Sequence, residues 1–217
     1  AFALVASFAL APSLPLGALP ENMDLAGMAV IAAGEILSGV VLGFAASCVF
    51  AGMQFAGQVI SFQLGFSLVN QIDPQTNVEA SAFSFIHNYV GLLFFLLING
   101  HHWFLLAVSQ SFGTLPVGGV RIQAHLMAQL LELTSQILVI GLRIAGPVII
   151  VTVIMDLVLG ILGRAAPQIQ VILVGMPLKI LVGLGCVSFS LYFLPRYLET
   201  VYSGLQRTLF SLVQAMS

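Results

Sequence analysis

Two apolar runs, each longer than a bilayer is thick, constrain this chain more than any other feature. Residues 26–60 are interrupted mainly by Glu35, Gln54 and Gln58, and residues 125–162 form a second such run. A bilayer core of roughly 30 Å is crossed by about 20 helical residues, whereas 35 residues extend about 52 Å as a helix. Neither run therefore fits one simple span. Either the runs fold into hairpins, or they form long helices that pack on other proteins.

The chain is too poor in charge to cover a water-exposed surface. Only 6% of its 217 residues are charged, 59% are hydrophobic, and the mean hydropathy is +1.10, whereas an ordinary soluble domain is roughly 25% charged. The apolar runs are continuous rather than alternating, which argues against a β-barrel. We expect an all-α fold of membrane-associated helical hairpins and long kinked helices that pack in a multi-subunit assembly.

The sequence offers no signal for nucleic-acid binding, catalysis or a cofactor. All six basic residues follow position 120 and form no basic stripe, which a nucleic-acid-binding protein would need. No nucleophile motif, HExxH, Walker loop or GxGxxG occurs, so we predict that the chain is not an enzyme and holds no cofactor. Cys48 and Cys186 lack a second ligand at zinc-like spacing and are predicted to be buried thiols. The adjacent His101 and His102 would point to different helix faces, so we interpret them as interfacial residues rather than a metal site.

A polar segment after the first apolar run interrupts the membrane-like pattern. Residues 61–81 read SFQLGFSLVNQIDPQTNVEAS. Asp73 and Pro74 are typical of a helix start, with Asp as N-cap and Pro at the first position, so residues 65–71 are predicted to be an irregular connection. Gly65 would give this connection backbone freedom. Irregular backbone at membrane depth is tolerated where it is buried in protein or faces a watery cavity.

The helical face that precedes this segment has two open interpretations. Gln54, Gln58 and Ser61 share one face of a helix. Polar groups at membrane depth need a partner or water. The face therefore either forms hydrogen bonds between helices or lines a watery passage.

Other small or charged residues in the apolar runs are predicted assembly contacts. Small residues recur every four positions and allow close approach of another helix, within the chain or between chains: Gly39, Gly43, Ser47 and Ala51. Arg143 and Asp156 are 13 residues apart, about 20 Å along a straight helix, so they cannot pair within one. Asp156 could approach Arg164 only if the chain turned near Gly160 and Gly163. We expect Arg143, Asp156 and Arg164 to make assembly contacts.

Glycines, prolines and the spacing of apolar residues in the second half of the chain predict helix ends, loops and an amphipathic tail. Gly141 and Pro147 could break the run 125–162, residues 109–121 and 163–170 are predicted loops, and Pro195 is predicted to end a helix. The positive-inside rule places Arg121 and Arg164 together in the cytoplasm only if 120–162 folds as a hairpin. The tail has apolar residues at helical spacing: Leu198, Tyr202, Leu205, Leu209 and Leu212.

Three ordered motifs stand out: FQLGFSLVNQIDPQ at 62–75, NGHHWFLLAVSQSFGTLPVG at 99–118 and DLVLGILGRAAPQIQVILVGMPLKILVGL at 156–184. Together they resemble the FliR (SctT-type) family of the flagellar type III export gate, whose counterpart serves virulence secretion. The resemblance implies a bacterial inner-membrane protein of the flagellar basal body. It also implies a helical gate formed with FliP and FliQ, with FlhB and FlhA as further partners and unfolded flagellar proteins as the cargo.

The resemblance also implies roles for particular segments. Residues 1–122 would be a FliP-like part and 123–217 a FliQ-like helix pair with the tail, in one helical domain 1–217 that we expect to lack a native N-terminal segment. The pore plug would lie at about 62–74 and comprise the following residues: Phe62, Gln63, Gly65, Phe66, Ser67, Leu68, Val69, Asn70, Asp73 and Pro74. The alternatives are a virulence-secretion counterpart and, from another class, a small-solute or ion transporter, which would favour repeated halves with discontinuous helices.

Overall fold

The computed structural model describes residues 24–66, 82–114, 124–166 and 171–216, and in these ranges the chain is helical, without a β-strand. The all-α prediction is therefore confirmed. The helices, in chain order, are α1 Leu25–Gln63, α2 Ala82–Leu97, α3 Gly100–Thr114, α4 Ala124–Ala165 and α5 Val171–Ala215.

The two long apolar runs form single continuous helices rather than hairpins. Helix α1 has 39 residues and α4 has 42, which correspond to about 58 and 63 Å. The possible breaks at Gly141 and Pro147 do not occur, since α4 continues through both. The prediction of a hairpin over 120–162 is also wrong, because 124–165 is one helix. The positive-inside rule therefore no longer places Arg121 and Arg164 together in the cytoplasm. Three helices, α1, α4 and α5, are long and apolar enough to cross a membrane, and the α2–α3 pair would make a fourth, bent span.

Helix α5 likewise passes through two prolines. It runs for 45 residues with Pro177 and Pro195 inside it, so the predicted helix end at Pro195 is wrong. A proline removes one hydrogen bond and bends a helix, but helices that pack on neighbours at membrane depth tolerate this. The tail predicted to be amphipathic is the last part of α5, and its apolar face is buried.

The predicted loops are shorter than their composition suggested. Helix α3 extends to Thr114 and α4 to Ala165, so residues 109–114 and 163–165 are helical; residues 115–123, including Arg121, lie outside the described residues. A break at residues 98–99 separates α2 from α3, and there Asn99 adopts a positive φ of 58°. The Phe95 ring occupies the space where a side chain on Gly100 would lie.

The chain divides into two compact units, and α1, α2, α4 and α5 each contribute residues to both. The first contains the described residues of Ala1–Cys48, Phe95–Ser135 and Val201–Ser217. Within it, the fully buried Tyr202 packs its ring against Phe95, with the ring centroids 5.4 Å apart.

The second unit contains the described residues of Val49–Phe94 and Gln136–Thr200. Its core joins the end of α1 to α4 and α5 through five buried apolar residues: Ile60, Leu64, Ala145, Val148 and Val187. Glycines permit the close approach of α1 and α4. A side chain on Gly52 would come within 2.9 Å of Ile140, and the Phe55 ring fills the space beside Gly141.

Candidate functional site

The C-terminal end of α1 is fixed by a glycine-dependent helix stop. The N–H of Phe66 donates to the carbonyl oxygen of Ser61 over 3.1 Å, and the N–H of Gly65 donates to that of Phe62 over 3.0 Å. Gly65 has a φ of 84°. This pair of hydrogen bonds around a left-handed residue is the Schellman motif, in which glycine is favoured because it lacks a Cβ. The sequence FQLGF therefore ends the helix at Gln63.

Apolar side chains hold this helix end on one side and leave an aromatic ring exposed on another. Leu64 is 2% exposed and belongs to the core of the second unit. Phe66 packs its ring against Phe83, with the ring centroids 5.6 Å apart, whereas Phe62 is 68% exposed. The start of the predicted plug is therefore anchored by Leu64 and Phe66, while Phe62 is available for contact with another molecule.

The end of α1 crosses the start of α2 at very short range. A side chain on Gly57 would overlap the backbone of Ser84, and the Ser84 hydroxyl donates to the Gln54 carbonyl oxygen over 3.1 Å. The crossing fixes where α2 begins relative to the α1 end within this unit. Sequence reasoning missed Gly57, because spacing along the chain did not distinguish it from the other glycines of α1.

The three polar residues predicted to share one face differ in exposure. Gln54 and Gln58 are exposed, whereas Ser61 is buried. The structure thus presents two uncharged amide side chains on the surface of α1, one helical turn apart, directly before the helix stop. Amides can donate and accept hydrogen bonds without selecting for charge, which suits contact with a polypeptide backbone.

The rest of the predicted plug lies beyond the described part of the chain. Gln63 is half-buried. The remaining residues of the predicted plug fall outside the described residues: Ser67, Leu68, Val69, Asn70, Asp73 and Pro74.

The small-residue stripe of α1 is open. Gly39 and Gly43 are exposed, and a side chain at either would meet no atom within 4 Å. The glycines that allow close helix approach within the second unit are instead Gly52, Gly57 and Gly141.

The charged residues predicted to be assembly contacts have different environments. Both oxygens of Asp156 accept from the Lys179 ammonium over 2.8 Å, and the Arg143 guanidinium lies close to the Tyr197 hydroxyl. Arg164 is exposed. The turn near Gly160 and Gly163 that would have joined Asp156 to Arg164 is wrong, since α4 is helical to Ala165.

Both polar pairs connect α4 to α5, and sequence reasoning missed both partners. Asp156 follows Arg143 along α4, whereas its partner Lys179 precedes Tyr197 along α5. The two helices therefore run antiparallel. Lys179 is the chain's only lysine, which was the available signal. Among the described residues, no three His, Cys, Asp or Glu side chains are grouped as metal ligands would be.

Comparison with known proteins agrees with the motifs. Residues 1–205 match the family described as bacterial export proteins, family 1. The chain is similar to the flagellar biosynthetic protein FliR of Escherichia coli K12, with 31% identity over 99% of this chain and 81% of that protein. It is also similar to FliR of Pectobacterium carotovorum, with 32% identity over 89% and 73% of the two chains. FliR of Bacillus subtilis is 35% identical over 70% and 60%.

The family match covers nearly the whole chain, and the first two relatives exceed 30% identity over more than two thirds of their own length. The resemblance predicted from the three motifs is therefore confirmed. The apolar helices and the family together identify a membrane protein. The chain belongs to the bacterial export proteins of family 1, the family of the FliR proteins.

Proposed function

We propose that this chain is a non-enzymatic subunit of the bacterial flagellar protein export channel, and that it helps form and gate the pore for unfolded flagellar proteins. The observation that carries the proposal is the nearly full-length match to a family of export proteins, together with relatives named flagellar biosynthetic protein FliR. Those names favour flagellar use over the virulence-secretion counterpart.

The gating part of the proposal is assigned to the segment that follows α1. Gly65 stops the helix, Leu64 and Phe66 anchor the exit, and the exposed Phe62 is available to fill a passage. The plug would continue through Asn70 to Pro74. An anchored start with an exposed aromatic ring suits a segment that closes a passage and stays attached to the helix.

The exposed amides support a pore-lining role for the end of α1. Gln54 and Gln58 would face the passage and hydrogen-bond to a moving polypeptide chain, whereas the buried Ser61 would not contact it. They lack charge, so they would not trap oppositely charged segments of the cargo.

The length of the helices supports assembly with other membrane subunits. Helices α1, α4 and α5 exceed a bilayer core of roughly 30 Å by about 28 Å or more, so lipid alone cannot cover them. FliP and FliQ would pack on this surface in the inner membrane at the flagellar basal body, with FlhB and FlhA as further partners. Residues 1–122 would act as the FliP-like part and 123–217 as the FliQ-like part, with Gly39 and Gly43 at subunit contacts.

Purification tests the assembly. The tagged chain, extracted in mild detergent, should co-purify with other export-apparatus proteins at fixed copy numbers. A chain that is monodisperse without partners and carries substrate alone in liposomes would contradict the proposal and favour a small-solute transporter.

Permeability tests the plug. Deleting residues 65–70 in the assembled gate should make vesicles leaky to a small dye, because the segment that closes the passage is shortened. Phe62→Ala should increase leakage to a smaller extent. Phe189→Ala is a matched control, since Phe189 is 65% exposed on α5 and should leave permeability unchanged. Unchanged permeability in the deletion variant would rule out the plug role.

A further inference from the structure

Arg143 places a permanent positive charge near the middle of a long apolar helix. It lies about 29 Å from the start of α4 and about 33 Å from its end. The residue is exposed, and its flanking exposed neighbours include Val139, Leu142 and Ile150. An arginine does not lose its charge in a protein, so this group needs an acceptor in whatever surrounds it.

The chain itself supplies only part of what the guanidinium requires. The Tyr197 hydroxyl lies close to Arg143, but a guanidinium has five N–H donors arranged in a planar fork, more than one hydroxyl can accept. The ion pair formed within the described residues joins Asp156 to Lys179, so no carboxylate of the described chain pairs with Arg143. Donors therefore remain for a second acceptor.

Lipid cannot be the sole neighbour of this part of α4. Exposed apolar side chains extend along the helix from Met127 to Ile161, about 51 Å, whereas the hydrocarbon core is roughly 30 Å thick. Arg143 lies well inside this range. Wherever the bilayer lies, Arg143 is either within the hydrocarbon, where an ionised side chain needs a partner, or beside apolar surface that only protein can cover.

We propose that Arg143 is an intersubunit anchor that binds the carboxylate of an Asp or Glu on a helix of another membrane subunit. The charge is complementary, and the planar fork matches the two oxygens of a carboxylate. This inference rests on the proposed assembly into an export gate and adds the chemistry of one contact.

Co-purification with four variants distinguishes binding of Arg143 to another subunit from contact with Tyr197 within the chain alone. Arg143→Gln should lower the recovery of partner subunits by about tenfold or more, as expected when one member of a desolvated charge pair is removed. Arg143→Lys should restore part of it, since the charge remains but the fork is lost. Tyr197→Phe should stay close to wild type. Arg207→Gln is the control, because it removes an exposed arginine to which no assembly contact is assigned.

Crosslinking from a neighbouring residue identifies the partner while Arg143 itself is unchanged, and a charge swap then tests the pair. A photoreactive residue at Leu142, the exposed neighbour of Arg143, should yield a protein product whose crosslinked peptide contains an Asp or Glu. Arg143→Glu should then regain assembly when that acid is changed to Arg.

Two results would overturn the anchor. One is wild-type recovery of partners with Arg143→Gln, and the other is crosslinking at Leu142 to lipid alone, as a phospholipid phosphate at Arg143 would give. If the wild-type chain recovers no membrane partner, the proposed function fails as well. That result is distinct, because it concerns the unsubstituted protein.

Discussion

Gly57 is the position where a single added methyl group should disturb the helix arrangement most. A Cβ there would lie 2.6 Å from the Phe83 carbonyl carbon and would overlap the Ser84 backbone. These obstructing atoms are backbone, so no side-chain rotation relieves the clash. The start of α2 must move away from α1 by about 1 Å to reach ordinary contact distance.

The expected cost follows from two opposing effects. Overpacking a well-packed interior costs about 1–3 kcal/mol, and the upper part of this range applies because whole helices must shift. Replacing glycine by alanine in a helix returns about 1 kcal/mol. The net loss for Gly57→Ala is about 1–2 kcal/mol, which lowers the Tm of a chain of this size by about 2–8 °C.

Gly27→Ala is the matched control, because it makes the same change on the same helix where no atom lies within 4 Å. Without a clash, it should raise Tm by about 2–4 °C. Both variants can be compared by thermal unfolding in mild detergent, followed by circular dichroism. If Gly57→Ala is as stable as Gly27→Ala, the close α1–α2 crossing is not a constraint on this protein and the reasoning fails.

Substitutions at Gly65, Leu64 and Lys179 test the end of α1 and the pairing of α4 with α5. Gly65→Ala should destabilise by about 1–2 kcal/mol because of its positive φ, whereas Gly65→Asn should cost less, since Asn tolerates the left-handed region; equal Tm values would contradict this. Leu64→Ala should cost about 2–5 kcal/mol by leaving a cavity in the core, and a denaturant midpoint within error of wild type would refute it. Lys179→Met should destabilise by about 0.2–1 kcal/mol, because Asp156, whose side chain is 52% exposed, loses its partner. Adding Asp156→Leu should recover most of that loss, and a double variant that is less stable than the single one would contradict the pairing.

The sequence by itself determined the fold class, the family and the place where α1 ends. Continuous apolar runs with few charges can only satisfy their backbone groups as helices in apolar surroundings, and FQLGF carries its own stop signal through Gly65. The periodic tail also predicted its buried face correctly, because every third or fourth residue lies on one side of a helix.

Tertiary structure decided where these helices continue, approach and pair. Pro147 and Pro195 signal helix ends locally, but packing on neighbouring helices stabilises the chain through both. Small residues at spacing four predicted close approach at Gly39 and Gly43, within the chain or between chains, whereas the described contacts within the chain lie at Gly52 and Gly57. Asp156 found Lys179 rather than Arg164 because the antiparallel α4–α5 pairing brings distant residues together. Such choices depend on which surfaces meet in three dimensions, and local spacing along the chain does not contain that information.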